Sequence, residues 1–419
     1  LKIAIVGAGI SGLTAAWLLH DQHDITVFEA APRLGGHTNT IDVTQDGQTH
    51  AVDTGFIVYN NKTYPRFSFM LDKLGVATQE SDMSFSVRNL KTGYEYGGRS
   101  LGTLYAQKSN LLNLPHHRMF RDILRFYKQA GELLEPGQPE ITLGDYLTRN
   151  RYSKAFLERH LIPMGAAVWS APPAQMLEFP AKMFVQFFKN HGFMDMADRP
   201  VWRVIKGGSR EYLKPLTAPY ADKIRLGTPI ERIERRDDRV EITPANSGET
   251  ESFDHVALAC HSNQALAMLG DPSEDEQRIL GTMPYQPNPT VLHTNAALMP
   301  RRKSVWSSWN YHLDGDDARG AAVTYCMNIL QSLHDAPTYL VTLNRPELVE
   351  ESTVIERINY EHPVYTLEGI AARNEWATIS NTESRTHYCG AYWLNGFHED
   401  GVASAERVAV ALGADPILG

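Results

Sequence analysis

The chain has 419 residues, 42% hydrophobic and 21% charged, an ordinary globular composition with length for about two domains of roughly 100–200 residues each. A formal net charge of −9 argues against a general nucleic-acid partner, although a local basic patch could still face an anionic surface. Cys260, Cys326 and Cys389 are too far apart for a disulfide framework or a CxxC metal knuckle, and no long apolar run is present, so a cytoplasmic protein without a membrane span is expected.

The chain enters a strand at once, so no secretory leader is expected at this end. "KIAIVGAGISGLTAAWLLHDQHDITVFEA" reads as a buried strand at 3–6, a glycine turn, an Ala/Leu-rich helix at 13–20 and a second strand at 25–28, which is a βαβ unit. Gly7 permits the tight turn, and Gly9 lets the backbone approach a pyrophosphate beneath the helix start at Ile10 and Ser11. Gly12 allows close packing of helix on strand. Glu29, followed by Ala30, ends the second strand where a carboxylate can bind the ribose hydroxyls of an adenosine. A lone GxGxxG is weak evidence; one with strand, helix and acid in register marks a dinucleotide site.

"EAAPRLGGHTNT" places Arg33, Gly35 and Gly36 directly after the ribose acid, an extension that a domain binding only NAD does not need. "AVDTGFIVYN" adds a small-residue turn at Asp53, Thr54, Gly55 and Phe56. Together these stretches resemble the extended FAD motif of the amine oxidase and phytoene desaturase superfamily. The resemblance implies an FAD cofactor, with Arg33 offsetting negative charge near the pyrophosphate and the Thr54–Gly55–Phe56 turn near the flavin. It also implies an α/β fold: a Rossmann-type, glutathione reductase-like FAD-binding domain with an interleaved α+β substrate domain.

"VIKGGSREYLKPL" and "IRLGTPIERIERRDDRVEITPA" resemble the superfamily's re-entry into the FAD domain, with Pro229 and Ile230 passing the adenine, and "FDHVALACH" returns a buried strand. "CGAYWLNGFHEDG" falls where the superfamily makes its last FAD contact. There Gly390 ends a strand, and His398, Asp400, Gly401 and Val402 open a helix whose N–H groups would face flavin or phosphate oxygens. Ala391 stands where the superfamily's usual acid would be, so only backbone contacts are expected at that point. The FAD-binding domain is then expected over 1–75, 203–268 and 378–419, and the substrate domain over 76–202 and 269–377.

"CGAYWLNGFHEDG", "FPAKMFVQFFKNHGFMDMADRPVWRVIKGGSREY", "TYCMNILQSL" and "INYEHPVY" resemble a narrower branch. It comprises bacterial FAD proteins encoded beside cyclopropane-fatty-acyl-phospholipid synthase, similar to the flavin domain of plant cyclopropane fatty acid synthases. That resemblance implies a desaturase or dehydrogenase of fatty acyl chains, on phospholipids or otherwise, with hydride transfer to flavin N5. A flavin amine oxidase, a redox-neutral isomerase of unsaturated lipids and a non-catalytic partner of a lipid methyltransferase are the competing readings.

Within the substrate region, "HHRMFRDILRFYKQA" spaces Arg118, Arg121, Arg125 and Lys128 by 3, 4 and 3 residues, a cationic stripe opposite Phe120, Ile123, Leu124 and Tyr127. Such a stripe could meet anionic headgroups at the inner face of a membrane, or be an ordinary solvated face. Phe184, Phe187 and Phe188 could line an acyl tunnel or fill a core helix. Arg301, Arg302 and Lys303, before Trp306 and Trp309, read as an interfacial anchor or as a charged turn. The lysine of the superfamily's amine oxidases falls near Thr290, where this chain has none. His398 is the candidate acid or base, with Tyr392 and Trp393 as walls beside the flavin, while core and helix-cap roles compete for all three. No metal is expected, because His20 with His23 and His116 with His117 lack a third ligand.

Overall fold

The computed structural model describes residues 1–194, 200–313 and 322–418, so residues 195–199, the "DMADR" part of the quoted "FPAKMFVQFFKNHGFMDMADRPVWRVIKGGSREY" stretch, lie outside the described residues. The first βαβ unit seeds a five-stranded sheet in the order Ile224–Arg225, Asp24–Phe28, Lys2–Val6, His255–Leu258, Thr386–Tyr388. All four pairings are parallel. Its central strands are continuous apolar runs because helices cover both faces; Ile3, Ala4 and Ile5 are fully buried. The helix Ile10–Leu19 starts three residues earlier than the apolar pattern suggests, with Gly9 extended at its N-cap. The last helix, His398–Ala411, packs directly against it.

A second body is built on a seven-stranded sheet in the order Val354–Pro363, Tyr285–His293, Leu340–Leu343, Val323–Cys326, Trp309–Leu313, Phe85–Asn89, Glu95–Gly97. Five of its six pairings are antiparallel, while Trp309–Leu313 runs parallel to Phe85–Asn89. Two distant stretches of sequence therefore share one sheet. The helices Leu114–Gln129, Leu143–Arg149, Ile162–Trp169 and Ala181–Asn190 supply its partner layer, with Met119, Phe126, Phe156, Phe184 and Phe188 in the common core.

A small antiparallel sheet joins Tyr59–Asn60, Trp202–Ile205 and Thr78–Glu80, stitching the two bodies together. The fold is thus the expected α/β FAD-binding architecture with an interleaved α+β domain. Among the described residues no helix is long and apolar enough to cross a membrane.

Candidate functional site

The adenosine end is built by local turn chemistry. A Cβ on Gly12 would lie 1.8 Å from the Gly7 carbonyl oxygen, so the first helix sits hard against the glycine turn. A Cβ on Gly9, by contrast, would meet nothing within 4 Å. The open direction at Gly9 adjoins the first N–H groups of the helix, including those of Ile10 and Ser11, which have no side-chain cap. Glu29 accepts hydrogen bonds from the Ala8 N–H at 2.7 Å and the Ala31 N–H at 2.8 Å, which fixes its carboxylate at the sheet edge beside Ala30. The Glu29 carbonyl accepts from the Thr228 N–H at 2.8 Å, bringing Pro229 and Ile230 alongside.

The glycine pair folds back over this end. Gly35 bridges to Gly9, and its N–H donates to the Ala8 carbonyl at 2.8 Å. The Arg33 guanidinium donates to the carbonyls of Leu34, Gly36 and Thr38 at 3.2, 2.9 and 3.2 Å. It clamps its own loop while its charge remains exposed beside Gly36.

The last helix brings a second N-terminus to the same place. A Cβ on Gly401 would come within 2.7 Å of Ile10 Cγ2 and 3.0 Å of Ser11 Oγ, so only a glycine lets the two helix starts meet. Val402 is fully buried beneath them. Asp400 accepts from the Phe397 N–H at 2.9 Å, and burial raises its carboxyl to about 7. The Gly390 N–H donates to Ser404 Oγ at 2.9 Å, tying the strand end to the helix.

His398, the candidate acid or base, is engaged by the cofactor domain itself. Its Nε2 lies 3.0 Å from Thr38 Oγ1 and 3.4 Å from the Tyr212 hydroxyl, and its ring stacks on Phe56 with centroids 3.5 Å apart. Burial holds its pKa well below the ordinary imidazole range, so the ring is neutral. Tyr392 and Trp393 lie side by side, buried, with the Tyr392 hydroxyl and Trp393 Nε1 lacking a hydrogen-bond partner among the described residues. Asp53, before Thr54, accepts from Ser209 and Thr40, and burial pushes its carboxyl up to about 6.

A polar cluster that the motif reading did not single out faces the Thr54–Gly55 turn. The Thr54 hydroxyl donates to the Asn39 carbonyl at 3.0 Å and accepts from the Tyr360 hydroxyl at 3.0 Å. Register pairs Tyr360 with Asn288 across the sheet, so both occupy one face, and His362 follows two residues on. Asn288 Nδ2 donates to the Ser170 carbonyl at 2.9 Å and to Asn344 Oδ1 at 2.7 Å. Its Oδ1 is therefore the acceptor for His362 Nδ1–H at 2.6 Å, which leaves His362 Nε2 as the unprotonated nitrogen. His37 stacks on Tyr360, and its ring centroid lies 5.1 Å from that of His362 and 6.1 Å from that of His261. Burial lowers His37 and His261 to about 4 and His362 well below its ordinary value. Three neutral imidazoles thus line this turn. The available signals were His37 directly after the glycine pair and the alternation of Tyr360 with His362 in "NYEHP".

The three phenylalanines divide between the core and the last helix. Phe184 and Phe188 stack with centroids 4.1 Å apart and are fully buried against Trp169. Phe187 stacks on His191 and on Phe397, the residue before His398. A cavity of about 20 Å³ in the same body is lined by Met83, Ser84, Phe85, Met164, Val168, Phe193 and Trp309. Arg125 leaves the expected cationic stripe: its guanidinium lies over the Tyr152 ring at 4.0 Å and 3.5 Å from Asp122.

FAD fits the residues present. Glu29 offers a fixed carboxylate to ribose hydroxyls, the open direction at Gly9 lies between two converging helix N-termini, and the Gly35–Gly36 loop and the Thr54–Gly55 turn continue the same edge. The model of the family described as flavin containing amine oxidoreductase matches residues 10–294, well over half of the chain. Flavin-containing amine oxidase A of Canis lupus familiaris is 24% identical over 255 residues, covering 58% of this chain and 46% of that protein. The chain thus spans about half the length of this curated relative. Among solved structures, a variant of putrescine oxidase redesigned in cofactor binding is 16% identical, with a TM-score of 0.69 and 98% of both chains covered. A CLA-producing fatty acid isomerase from P. acnes is 15% identical, with a TM-score of 0.66 and the same coverage. These structural likenesses show the fold, while the glycine turn, the ribose acid and the family match together show that the chain belongs to the flavin-containing amine oxidoreductase family, with FAD as its cofactor.

Proposed function

We propose that this FAD-dependent oxidoreductase removes hydrogen from uncharged fatty acyl chains, carried on phospholipid, and not from amines. One observation carries the reading. The seven-stranded sheet contains no lysine, and its face toward the Thr54–Gly55 turn presents the neutral set Tyr360, His362 and Asn288. No carboxylate in that set would meet an ammonium group. The resemblance to FAD proteins encoded beside a cyclopropane-fatty-acyl-phospholipid synthase supports a lipid substrate. A lipid methyltransferase is the partner such a setting suits.

When bound, FAD supplies a hydride acceptor at N5. The chain's own residues have three tasks. The two helix N-termini and Glu29 hold the cofactor's phosphates and ribose. Thr54, Tyr360 and Asn39 fix the turn beneath the substrate sheet. His362 Nε2, unprotonated and backed through Nδ1 by Asn288, takes the proton from the carbon adjacent to the one that loses hydride. The balance is one hydride and one proton out, one carbon–carbon double bond formed, and a two-electron acceptor such as dioxygen to reoxidise the cofactor.

The test is anaerobic mixing of the FAD-loaded protein with unsaturated phospholipids, free fatty acids and a panel of primary and secondary amines. Flavin bleaching by a lipid, with mass spectrometry showing the loss of two hydrogens, is the expected result. Bleaching by an amine and by no lipid would overturn the reading in favour of an amine oxidase. A double bond moved without loss of hydrogen would overturn it in favour of an isomerase.

A further inference from the structure

We infer that residues 99–128 form a docking surface for an anionic lipid bilayer, a property that stands whether or not the substrate is an acyl chain. Leu101, Leu111, Leu112 and Leu114 are 64%, 57%, 90% and 69% exposed. Other exposed large apolar side chains, such as Phe69, Val201 and Leu226, are scattered singly. Four leucines within fourteen residues are a concentration of apolar surface that a water-facing loop does not need.

The leucines are held out by a built scaffold. Asn110 Nδ2 donates to the Glu95 carbonyl at 3.1 Å, and the Glu95 N–H donates to Gln107 Oε1 at 2.8 Å. His117 Nε2 lies 2.9 Å from the Leu111 carbonyl oxygen. Asn113 caps the helix Leu114–Gln129 by accepting from the His116 N–H at 3.2 Å. The turn carrying Leu111, Leu112 and Leu114 is pinned on both sides, and its side chains still point to water.

Charge decides the partner. Residues 99–128 contain six Lys or Arg and one acid, Asp122, within a chain whose net charge is −9. Asp122 is buried and accepts from the Ser153 N–H at 2.9 Å, so it presents no negative charge outward. Lys108, Arg118, Arg121 and Lys128 are exposed beside the leucines or along the following helix. The exposed Arg301, Arg302 and Lys303 join this surface through Glu95, which accepts from the Arg301 and Arg302 N–H groups at 2.9 and 3.2 Å and from the Arg302 guanidinium at 2.7 Å. Aliphatic tips ringed by Lys and Arg match an acyl–headgroup boundary, where leucines enter the apolar zone and cations meet lipid phosphates. A protein interface of this size would be expected to feature aromatic anchors and fewer lysines. The apolar cavity lies at the root of the same segment: Ser84 and Phe85 line it, Arg99 Nη2 reaches Ser84 Oγ at 3.4 Å, and the Gly98 N–H donates to the Phe85 carbonyl at 2.8 Å.

Flotation of the FAD-loaded chain with vesicles of phosphatidylcholine, with and without phosphatidylglycerol, tests the inference. The wild-type chain should float with the anionic vesicles. The double variant Leu112→Asp/Leu114→Asp should bind them about tenfold or more weakly, with flavin absorbance unchanged because both sites are solvent-exposed. Arg118→Glu/Arg121→Glu should lose binding to anionic vesicles and leave any residual binding to pure phosphatidylcholine unaltered. Failure of the wild type to float with either vesicle, or flotation of the leucine variant equal to wild type, would overturn the inference. So would a wild-type dimer that the leucine variant converts to monomer in the absence of vesicle binding. None of these readouts depends on turnover, so they are separable from the outcome of the flavin-bleaching experiment.

Discussion

The Tyr360 hydroxyl stands 3.0 Å from Thr54 Oγ1 and accepts from Asn39 Nδ2 at 3.0 Å, so a residue of the substrate sheet closes a hydrogen-bonded ring on the cofactor turn. Tyr360→Phe deletes that oxygen alone. Thr54 keeps its bond to the Asn39 carbonyl, while the bonds of Tyr360 to Thr54 Oγ1 and from Asn39 Nδ2 are both lost, so the expected loss is about 1–3 kcal/mol of stability, the range for two buried hydrogen bonds. Urea unfolding measures it. An unchanged midpoint together with an unchanged flavin spectrum would show that the ring holds nothing in place.

Two glycines that address the same cofactor should fail in different ways. Gly9→Val fills a direction in which the folded chain has nothing within 4 Å, so the apoprotein should melt as wild type does while FAD binding is abolished. Gly401→Val instead drives a branched side chain into Ile10 Cγ2 and Ser11 Oγ, and overpacking of this kind costs about 1–3 kcal/mol of fold stability. Thermal melts of both apoproteins beside FAD titrations separate the two. A strongly destabilised Gly9→Val apoprotein would contradict the open cradle.

These contrasts show what the sequence could reveal. The glycine turn, Glu29 and the last helix were legible because each is set by neighbours in the chain: φ at Gly7, the strand end at Glu29, the small residues opening the helix at Gly401. The polar cluster was not, because the register of Tyr285–His293 with Val354–Pro363 sets Asn288 beside Tyr360, and only the packing of the Gly35–Gly36 loop against that strand brings His37 to Tyr360 and His362. Helical spacing groups Arg118, Arg121, Arg125 and Lys128, but spacing cannot foresee that Tyr152, from a later turn, captures the Arg125 guanidinium and takes it out of that stripe. The sequence makes His398 a candidate acid or base at a helix start, with a helix-cap role as the competing reading. Its bonds to Thr38 and Tyr212 and its stack on Phe56 link positions up to 360 residues apart, which no local pattern encodes.

His362 offers the sharpest chemical test. His362→Gln keeps a polar side chain of similar reach but supplies no base, so turnover should fall by roughly 10²- to 10⁴-fold while FAD remains bound. Burial and the nearby His37 and His261 hold this imidazole neutral far below pH 6.5, so wild-type kcat should show no acid limb from it between neutrality and pH 6. A kcat that falls tenfold per pH unit across that range would place the proton transfer on another group.

The buried imidazoles also set how stability responds to acid. Burial lowers His37, His116, His160, His191, His261, His293 and His387 to about 4, and His312 to about 3. Between an unfolded value of about 6.5 and these folded values, the unfolded chain binds more protons than the folded one. Stability therefore rises with pH across that window and is lost on acidification, at up to about 1.4 kcal/mol per pH unit for each such histidine. Asp53 and Asp400 oppose this, because carboxyls raised to about 6 and about 7 take up protons in the folded state first and so favour it as pH falls. Burial raises the Glu399 carboxyl as well, but three carboxyls against eight imidazoles leave the histidines in control, so Tm should fall steadily from pH 7 to pH 4.5. Scanning fluorimetry of the FAD-loaded chain across that range measures it, and a Tm that holds level or climbs on acidification would mean that these imidazoles are not buried neutral in the folded protein.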